Sequence, residues 1–281
     1  MQIVIPMSGF GERFRKAGYT VPKPLIDIDG RPIISYVIEM FPNADSFIFI
    51  CNEDHLLEPI YRMAQVLREY APNSKIVSIA PHHLGPVHAV LQAADVIDRS
   101  KPTIVNYCDF TCYWDFSAFT EFVEMLDCDG AIPAYKGFHP HSLGSTYYAY
   151  MQNEGLWVSN IREKQPFTEC PMEEYASSGT YYFKSGALCL DTFAQQISRP
   201  DLEINSEYYA SLAYRVMLEQ NLKVCVFPLQ HFMQWGTPQD LEIYKGWSEA
   251  FRQLATHSPK RARHSGAIVV PMAGLGKRFS D

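Results

Sequence analysis

Near the amino terminus, the loop Ser8-Gly9-Phe10-Gly11-Glu12-Arg13-Phe14 follows an apolar run and has the makeup of an anion cradle. Gly9 and Gly11 permit positive φ and close backbone approach, so successive N–H groups can converge on phosphate oxygens. Arg13 adds a charged fork to the same oxygens. Dinucleotide binding is the obvious competitor, but the third glycine of GxGxxG is missing because position 14 is Phe. Downstream, Val21-Pro22-Lys23-Pro24-Leu25 holds a lysine in an extended segment between two prolines. A lysine fixed beside a Gly-rich loop is a point charge suited to a phosphoryl group.

These residues need a scaffold, and the hydrophobic pattern supplies one. Short Ile/Val-rich runs at 2–7, 46–51, 75–80 and 102–107 alternate with helical patterns at 32–40, 54–70 and 86–97. That alternation implies βαβ units and a parallel sheet covered on both faces. Further strand patterns at 130–135, 146–151, 156–162 and 178–183, with helical ones at 115–126, 207–220 and 238–254, extend the sheet as a mixed one. The expected fold is therefore α/β, a mostly parallel mixed central sheet flanked by helices. Ligands of open α/β sheets lie outside the carboxyl ends of the strands, which here means Ser8 to Arg13, Asn52, Pro81 to Gly85 and Asp109.

Composition narrows the partners. A net charge of −7 favours neither a nucleic-acid backbone nor an anionic membrane. No run reaches the roughly 18 uninterrupted apolar residues of a membrane span, and no charged leader precedes the first strand, so a cytoplasmic location is expected. Seven scattered cysteines lack the paired spacing of a zinc site and read as reduced thiols. His82-His83 and His139-Pro140-His141 have spacings that seldom place both rings of a pair on one ion, although His139 or His141 can line a binding pocket. The run Tyr147-Tyr148-Ala149-Tyr150 reads as sheet packing.

Residues 3–14 (IVIPMSGFGERF) and 268–279 (IVVPMAGLGKRF) are identical at eight of twelve positions, which marks an internal repeat. The intervening segment 256–266 is polar and basic, as a linker would be. The expected organisation is a domain over 1–255, a linker over 256–266, and the start of a second, truncated unit over 267–281. The oligomeric state stays open, a homo-oligomer included.

Taken together, the Gly-rich loop with its Arg, the Pro-Lys-Pro-Leu sequence and the helix opened by Gly30-Arg31-Pro32-Ile33-Ile34 resemble the sugar-phosphate nucleotidyltransferase family, with its GT-A/Rossmann-like fold. The resemblance extends to about Leu241. It implies a nucleoside triphosphate bound by Pro6, Met7, Ser8, Gly9, Phe10, Gly11, Glu12, Arg13 and Lys23. It also implies a base-side turn made by Pro81, Gly85, Pro86 and Val87, with the helix N-terminus at Pro86. Here Pro86 replaces the usual Thr, and Glu12 replaces the usual small hydroxyl residue. Asp109 matches the family's Mg²⁺-binding carboxylate. Ile161-Arg162-Glu163-Lys164 and Ser178-Gly179-Thr180 match its acceptor-binding segments, so Asp109, Glu163, Lys164, Gly179 and Trp235 are the expected acceptor contacts, and Glu207, outside those segments, is a further candidate for acceptor or metal contact. Glu207 is placed at the start of a helix capped by Ser206.

Trp235-Gly236-Thr237-Pro238-Gln239-Asp240-Leu241 matches a further motif, except that Gln234 stands where the family has a second metal-binding Asp. Asp240 is expected to cap the following helix. The implied activity is transfer of a nucleoside monophosphate from a triphosphate, CTP or UTP favoured, to a sugar phosphate or similar small phosphorylated metabolite. Pyrophosphate is released and the cofactor is Mg²⁺, in a setting such as surface-polysaccharide precursor synthesis. Arg13, Lys23 and Asp109 carry the catalysis in that reading. The alternatives are a GT-A glycosyltransferase, disfavoured because Cys108-Asp109-Phe110-Thr111 lacks a D-x-D, and a non-catalytic nucleotide-sugar sensor, which Gln234 and Glu12 would suit.

Overall fold

The computed structural model describes residues 1–137 and 148–256. In chain order the strands are β1 (Gln2–Met7), β2 (Asp27–Ile28), β3 (Arg31–Pro32), β4 (Ser46–Asn52), β5 (Lys75–Ile79), β6 (Thr103–Asn106), β7 (Phe110–Tyr113), β8 (Gly130–Tyr135), β9 (Ala149–Glu154), β10 (Trp157–Glu163), β11 (Tyr175–Ser177), β12 (Thr180–Phe183), β13 (Val224–Pro228) and β14 (His231–Gln234). The α-helices are α1 (Glu12–Lys16), α2 (Ile33–Glu39), α3 (Glu53–Leu57), α4 (Met63–Tyr70), α5 (Gly85–Gln92), α6 (Phe116–Leu126), α7 (Gly186–Ile197), α8 (Ala213–Glu219) and α9 (Pro238–Thr256).

Ten strands form one sheet in the order β11-β9-β10-β13-β8-β12-β6-β1-β4-β5. β1 lies between β4 and β6, parallel to both. Its side chains alternate between two apolar clusters, with Ile3, Ile5 and Met7 in one and Val4 in the other. Burial on both faces is why this strand is an unbroken apolar run rather than an alternating one. It also leaves the loop after Met7 at the carboxyl edge of the sheet.

The expectation of a mostly parallel sheet is corrected. Parallel pairing holds for β1, β4, β5 and β6 and for β8 with β13. The remaining pairs, β9–β10, β10–β13, β8–β11, β9–β11, β6–β12 and β8–β12, are antiparallel. The connection from β9 to β10, Gly155-Leu156, is too short for a crossover and can only turn the chain back. A separate two-stranded ribbon pairs β7 with β14.

Two helix expectations also change. The pattern over 54–70 breaks into α3, a 3-10 turn at Pro59–Tyr61 and α4, because Pro59 has no N–H to continue the first helix. The helix expected from Glu207 begins at Ala213 instead. Asn205 and Ser206 have φ of 53° and 64°, a left-handed turn incompatible with a Ser206 cap.

Residues 1–245 form one compact unit, which contains every strand described, and the described residues from Gly246 onward belong to a second. In the second, Trp247 stacks on Phe251 along α9. Beyond Thr256, the expected linker and repeat lie outside the described residues, as do His139, His141 and Tyr147. Among the described residues no helix is long and apolar enough to cross a membrane.

Candidate active site

Two adjoining chambers open at the carboxyl edge of the sheet. The larger, about 510 Å³, is lined by the loop from Pro6 to Phe14, by Lys23 and Pro24, and by His82, His83, Gly85, Pro86 and Glu207. The smaller, about 200 Å³, is lined by Glu163, Lys164, Ser177, Ser178, Gly179, Tyr148, Gln234 and Asp240, among others. Arg13, Tyr107, Asp109, Tyr209 and Gly236 line both.

The loop owes its shape to Gly11, which N-caps α1 in the left-handed region at φ 62°. Asn52, at the end of β4, anchors its start by donating from Nδ2 to the Ser8 carbonyl at 3.2 Å. Phe10 stacks on His83 with ring centroids 4.4 Å apart, forming a wall of the larger chamber. Nearby, His82 Nδ1 accepts from the Leu84 N–H at 3.2 Å, and burial pulls the imidazole pKa down. Glu12 sits at the chamber rim and pairs with Lys16 at 3.8 Å.

Lys23 and Asp109 meet directly. Lys23 Nζ donates to Asp109 Oδ2 at 2.7 Å and to the Gly236 carbonyl at 3.0 Å. Pro22 and Pro24 set the approach of the lysine, and Asp109 follows β6 and precedes β7. The adjacent Cys108 thiol is pushed up to about 12 by burial, so it is no nucleophile at neutral pH.

In the smaller chamber, burial raises the Glu163 carboxyl from 4.5 to about 7, against the lowering effects of Ser211 and Lys164 and with a further rise from Glu207. Ser211 Oγ donates to Glu163 at 2.5 Å. Lys164, at φ 59°, donates from Nζ to the Tyr209 hydroxyl at 2.7 Å, and that hydroxyl donates to Glu207.

Gln234 is bound into a network. Tyr148 OH donates to its Oε1, and its Nε2 donates to Asp240 Oδ1 at 2.8 Å. Asp240 Oδ2 also accepts from the N–H and hydroxyl of Thr237, whose Oγ1 accepts from Asp240 N, a reciprocal box at the start of α9. The expected cap is thus shared by Thr237 and Asp240, and the Asp240 carboxylate is committed to it.

The expected nucleotide residues from Pro6 to Arg13, together with Lys23, Gly85 and Pro86, are brought together in the larger chamber; Pro81 and Val87 do not line it. Val87 is fully buried and its N–H donates to the Tyr208 carbonyl at 3.3 Å, while α5 starts at Gly85 rather than Pro86. Gly85, at φ 84°, has the Tyr208 backbone where a Cβ would stand, with N and O each 2.8 Å away. Close approach is thus required here, but by the chain itself. Of the expected acceptor residues, Asp109, Glu163, Lys164 and Gly179 line the smaller chamber, whereas Glu207 lines the larger one. Trp235 lines neither: it is fully buried, edge-on to Tyr36 and Tyr244. Sequence reasoning missed Tyr107, Tyr148, Tyr209, Ser211 and Asp240 as site residues, because aromatic and hydroxyl residues in strands and turns carry no signal beyond packing or capping.

The profile of the Nucleotidyl transferase family matches residues 3–241. A mannose-1-phosphate guanyltransferase of Saccharomyces cerevisiae is 29% identical over 280 residues, spanning 96% of this chain and 70% of that protein. The catalytic subunit beta of a mannose-1-phosphate guanylyltransferase of Danio rerio is 24% identical, spanning 99% of this chain and 73% of its own length. Among solved structures, a nucleoside-diphosphate-sugar pyrophosphorylase from Vibrio cholerae has the same fold, with a TM-score of 0.68 at 20% identity over 87% of this chain and 99% of that one. With its Gly-rich loop, Lys23 and Asp109 gathered at one cleft, the chain belongs to the Nucleotidyl transferase family and is an enzyme of the nucleotidyltransferase, or pyrophosphorylase, type.

Proposed function

We propose that the protein transfers a nucleoside monophosphate from a nucleoside triphosphate in the larger chamber to a sugar phosphate in the smaller one, releasing pyrophosphate. The observation that carries this reading is the meeting of the two chambers at Asp109 and Arg13. An oxygen of the acceptor phosphate, already ionised at neutral pH, attacks the α-phosphorus in line, so no general base is needed. Positioning and charge neutralisation then account for the rate. Loop amides and Arg13 hold the β- and γ-phosphates as they leave, and Lys23 offsets the repulsion between the two anions. Lys164 meets the acceptor phosphate, and Glu163 accepts from acceptor hydroxyls.

Asp109 is the carboxylate that would hold Mg²⁺. Among the described residues no cluster of three or more His, Cys, Asp or Glu side chains is poised for a metal ion. One carboxylate fits Mg²⁺ when phosphate oxygens and waters complete the shell. When bound there, the ion neutralises charge on the triphosphate.

The base is taken as a pyrimidine, CTP or UTP, because the run His88-Ala89-Val90-Leu91-Gln92-Ala93 resembles that of cytidylyl- and uridylyltransferases of surface-polysaccharide pathways; a surface-polysaccharide precursor is the product class in view. The guanylyl specificity in the names of the yeast and zebrafish relatives favours GTP as a second reading. The segment 267–281 is read as the opening of a second unit of the same kind, after a linker over 256–266. The test is pyrophosphate release with Mg²⁺ across four nucleoside triphosphates and a panel of sugar phosphates, with Asp109→Ala as control. Release that depends on one pair and is lost in the variant supports the transferase. Nucleoside diphosphate as product, or tight binding without turnover, replaces it with a glycosyltransferase or a sensor.

A further inference from the structure

Two of the buried cysteines touch each other. Cys128 sits in the connection from α6 to β8 and Cys225 on β13, 97 positions apart in the chain, and the Cys225 thiol donates to the Cys128 sulfur at 3.2 Å. Both belong to the same apolar cluster and are 1% and 0% exposed. The backbones that carry them are tied together beside the pair. Asp129 N donates to the Lys223 carbonyl at 2.8 Å, and Lys223 N donates to Asp129 Oδ2 at 2.8 Å. Past that tie, β8 and β13 run parallel, with Cys225 opposite Ala131. The frame holds the sulfurs in contact, and the bonded separation of a disulfide, about 2.05 Å, lies roughly 1 Å of side-chain motion away.

Electrostatics separate this pair from other buried thiols. Burial pushes Cys51 and Cys108 up to about 12, so neither ionises near neutral pH. At Cys128 the hydrogen bond from Cys225 outweighs burial, with Lys184 adding a favourable charge, and the thiol falls below its ordinary value. Cys225, the donor, is raised in turn. Cys128 also lies one residue from the exposed Asp127, so a small oxidant reaches it through a local opening of the α6–β8 connection. We infer that Cys128 and Cys225 are a disulfide-forming modification site whose oxidant is a hydroperoxide. The Cys128 thiolate takes one oxygen of hydrogen peroxide as the O–O bond breaks, and the hydroxide released collects the proton that Cys128 had lost. The Cys225 sulfur then attacks the sulfenic sulfur, the S–S bond forms and a second water leaves. A thiol reductant returns both cysteines. β8 is antiparallel to β12, which is antiparallel to β6, so the amino end of β8 lies at the edge of the sheet opposite the chambers. The bond therefore closes a long loop away from the site, and its effect is to staple the fold by constraining the unfolded chain.

The experiment treats the native full chain with hydrogen peroxide, blocks the remaining thiols with N-ethylmaleimide in guanidinium, and reads the unreduced peptides by mass spectrometry. The expected product is a peptide that links Cys128 to Cys225 and disappears on treatment with dithiothreitol. The oxidised protein should unfold at a urea midpoint about 1 M above that of the reduced one. Cys225→Ala should yield no linked peptide and should carry Cys128 on to the sulfinic acid, because no partner resolves the sulfenic intermediate. The wild-type readings stand whether or not that variant folds. Cys128 and Cys225 both alkylated after peroxide overturn the site, as does a link from either one to another cysteine, such as the exposed Cys170, in place of their own bond. A linked peptide with an unchanged or lowered midpoint overturns the staple.

Discussion

Lys23 and Asp109 form an ion pair at 2.7 Å, with side chains 18% and 29% exposed, and Gly236 O closes the lysine's other side at 3.0 Å. The free enzyme therefore stores one cation against the carboxylate that lines both chambers. A pair this sheltered couples more strongly than an exposed one and less than one fully desolvated. A double-mutant cycle of Lys23→Met and Asp109→Asn in urea denaturation should give an interaction of about 1–2 kcal/mol. Each single change should also lower the rate of pyrophosphate release by roughly 10²–10³. Full activity in either variant would remove the pair from the chemistry.

Gln234 has both ends of its amide in use, on Tyr148 and Asp240. Gln234→Asp removes the donor to Asp240 and sets two carboxylates against each other. In metal-free buffer it should cost about 1–3 kcal/mol in chemical denaturation. It also adds a hard oxygen ligand to the chamber that Asp109 lines, so Mn²⁺ binding followed by electron paramagnetic resonance should tighten by roughly tenfold. Loss of stability without tighter binding would mean that residue 234 lies outside the reach of an ion on Asp109.

Gly85 separates two explanations of one residue. A glycine at a base-side turn suggests room for a nucleobase, whereas the structure puts the Tyr208 backbone 2.8 Å from where a Cβ would be, at φ 84°. Backbone cannot yield as a flexible side chain does, and a left-handed alanine adds strain. Gly85→Ala should therefore lower stability by about 2 kcal/mol or more, measured without any ligand. An unchanged denaturation midpoint with only a raised KM for nucleotide would restore the ligand explanation.

That contrast shows what could be read from the chain. β1, β4, β5 and β6 were legible because strands buried on both faces leave unbroken apolar runs, and the loops after them follow from topology. The loop Ser8 to Arg13 and Lys23 were legible because few backbone settings need those types in that order, and Asp109 because it follows a strand and matches a carboxylate of the family. Pro59 did signal a break, but the apolar periodicity on either side of it outweighed it. Asn205 and Ser206 concealed a left-handed turn behind what resembled a helix cap, and Glu207 lines the larger chamber instead of the smaller one. The β7–β14 ribbon, four residues a strand, was too short for periodicity to register. Tyr209 and Tyr148 could not be found at all, since what they do depends on partners far away in sequence.

Glu163 should leave a signature in the pH dependence of stability. Its carboxyl is raised from 4.5 to about 7, chiefly by burial. A carboxyl whose folded-state pKa exceeds its unfolded value binds protons more tightly when folded. Between those two values the native state holds more protons than the unfolded one, so stability falls as pH rises. The group's effect is most favourable below about pH 4.5 and is lost by about pH 7, a span worth roughly 3 kcal/mol. Other groups titrate in the same window, but they are common to wild type and Glu163→Gln, so the difference between the two proteins isolates this one. Urea denaturation at steps from about pH 5 to pH 8 should show the stability of Glu163→Gln gaining on wild type as pH rises, by up to roughly 3 kcal/mol. The Ser211 hydroxyl can still donate to the amide oxygen, so the variant keeps that hydrogen bond. Parallel profiles would mean that Glu163 ionises at its ordinary value. Its burial would then be offset by Ser211 and Lys164 more fully than the geometry indicates.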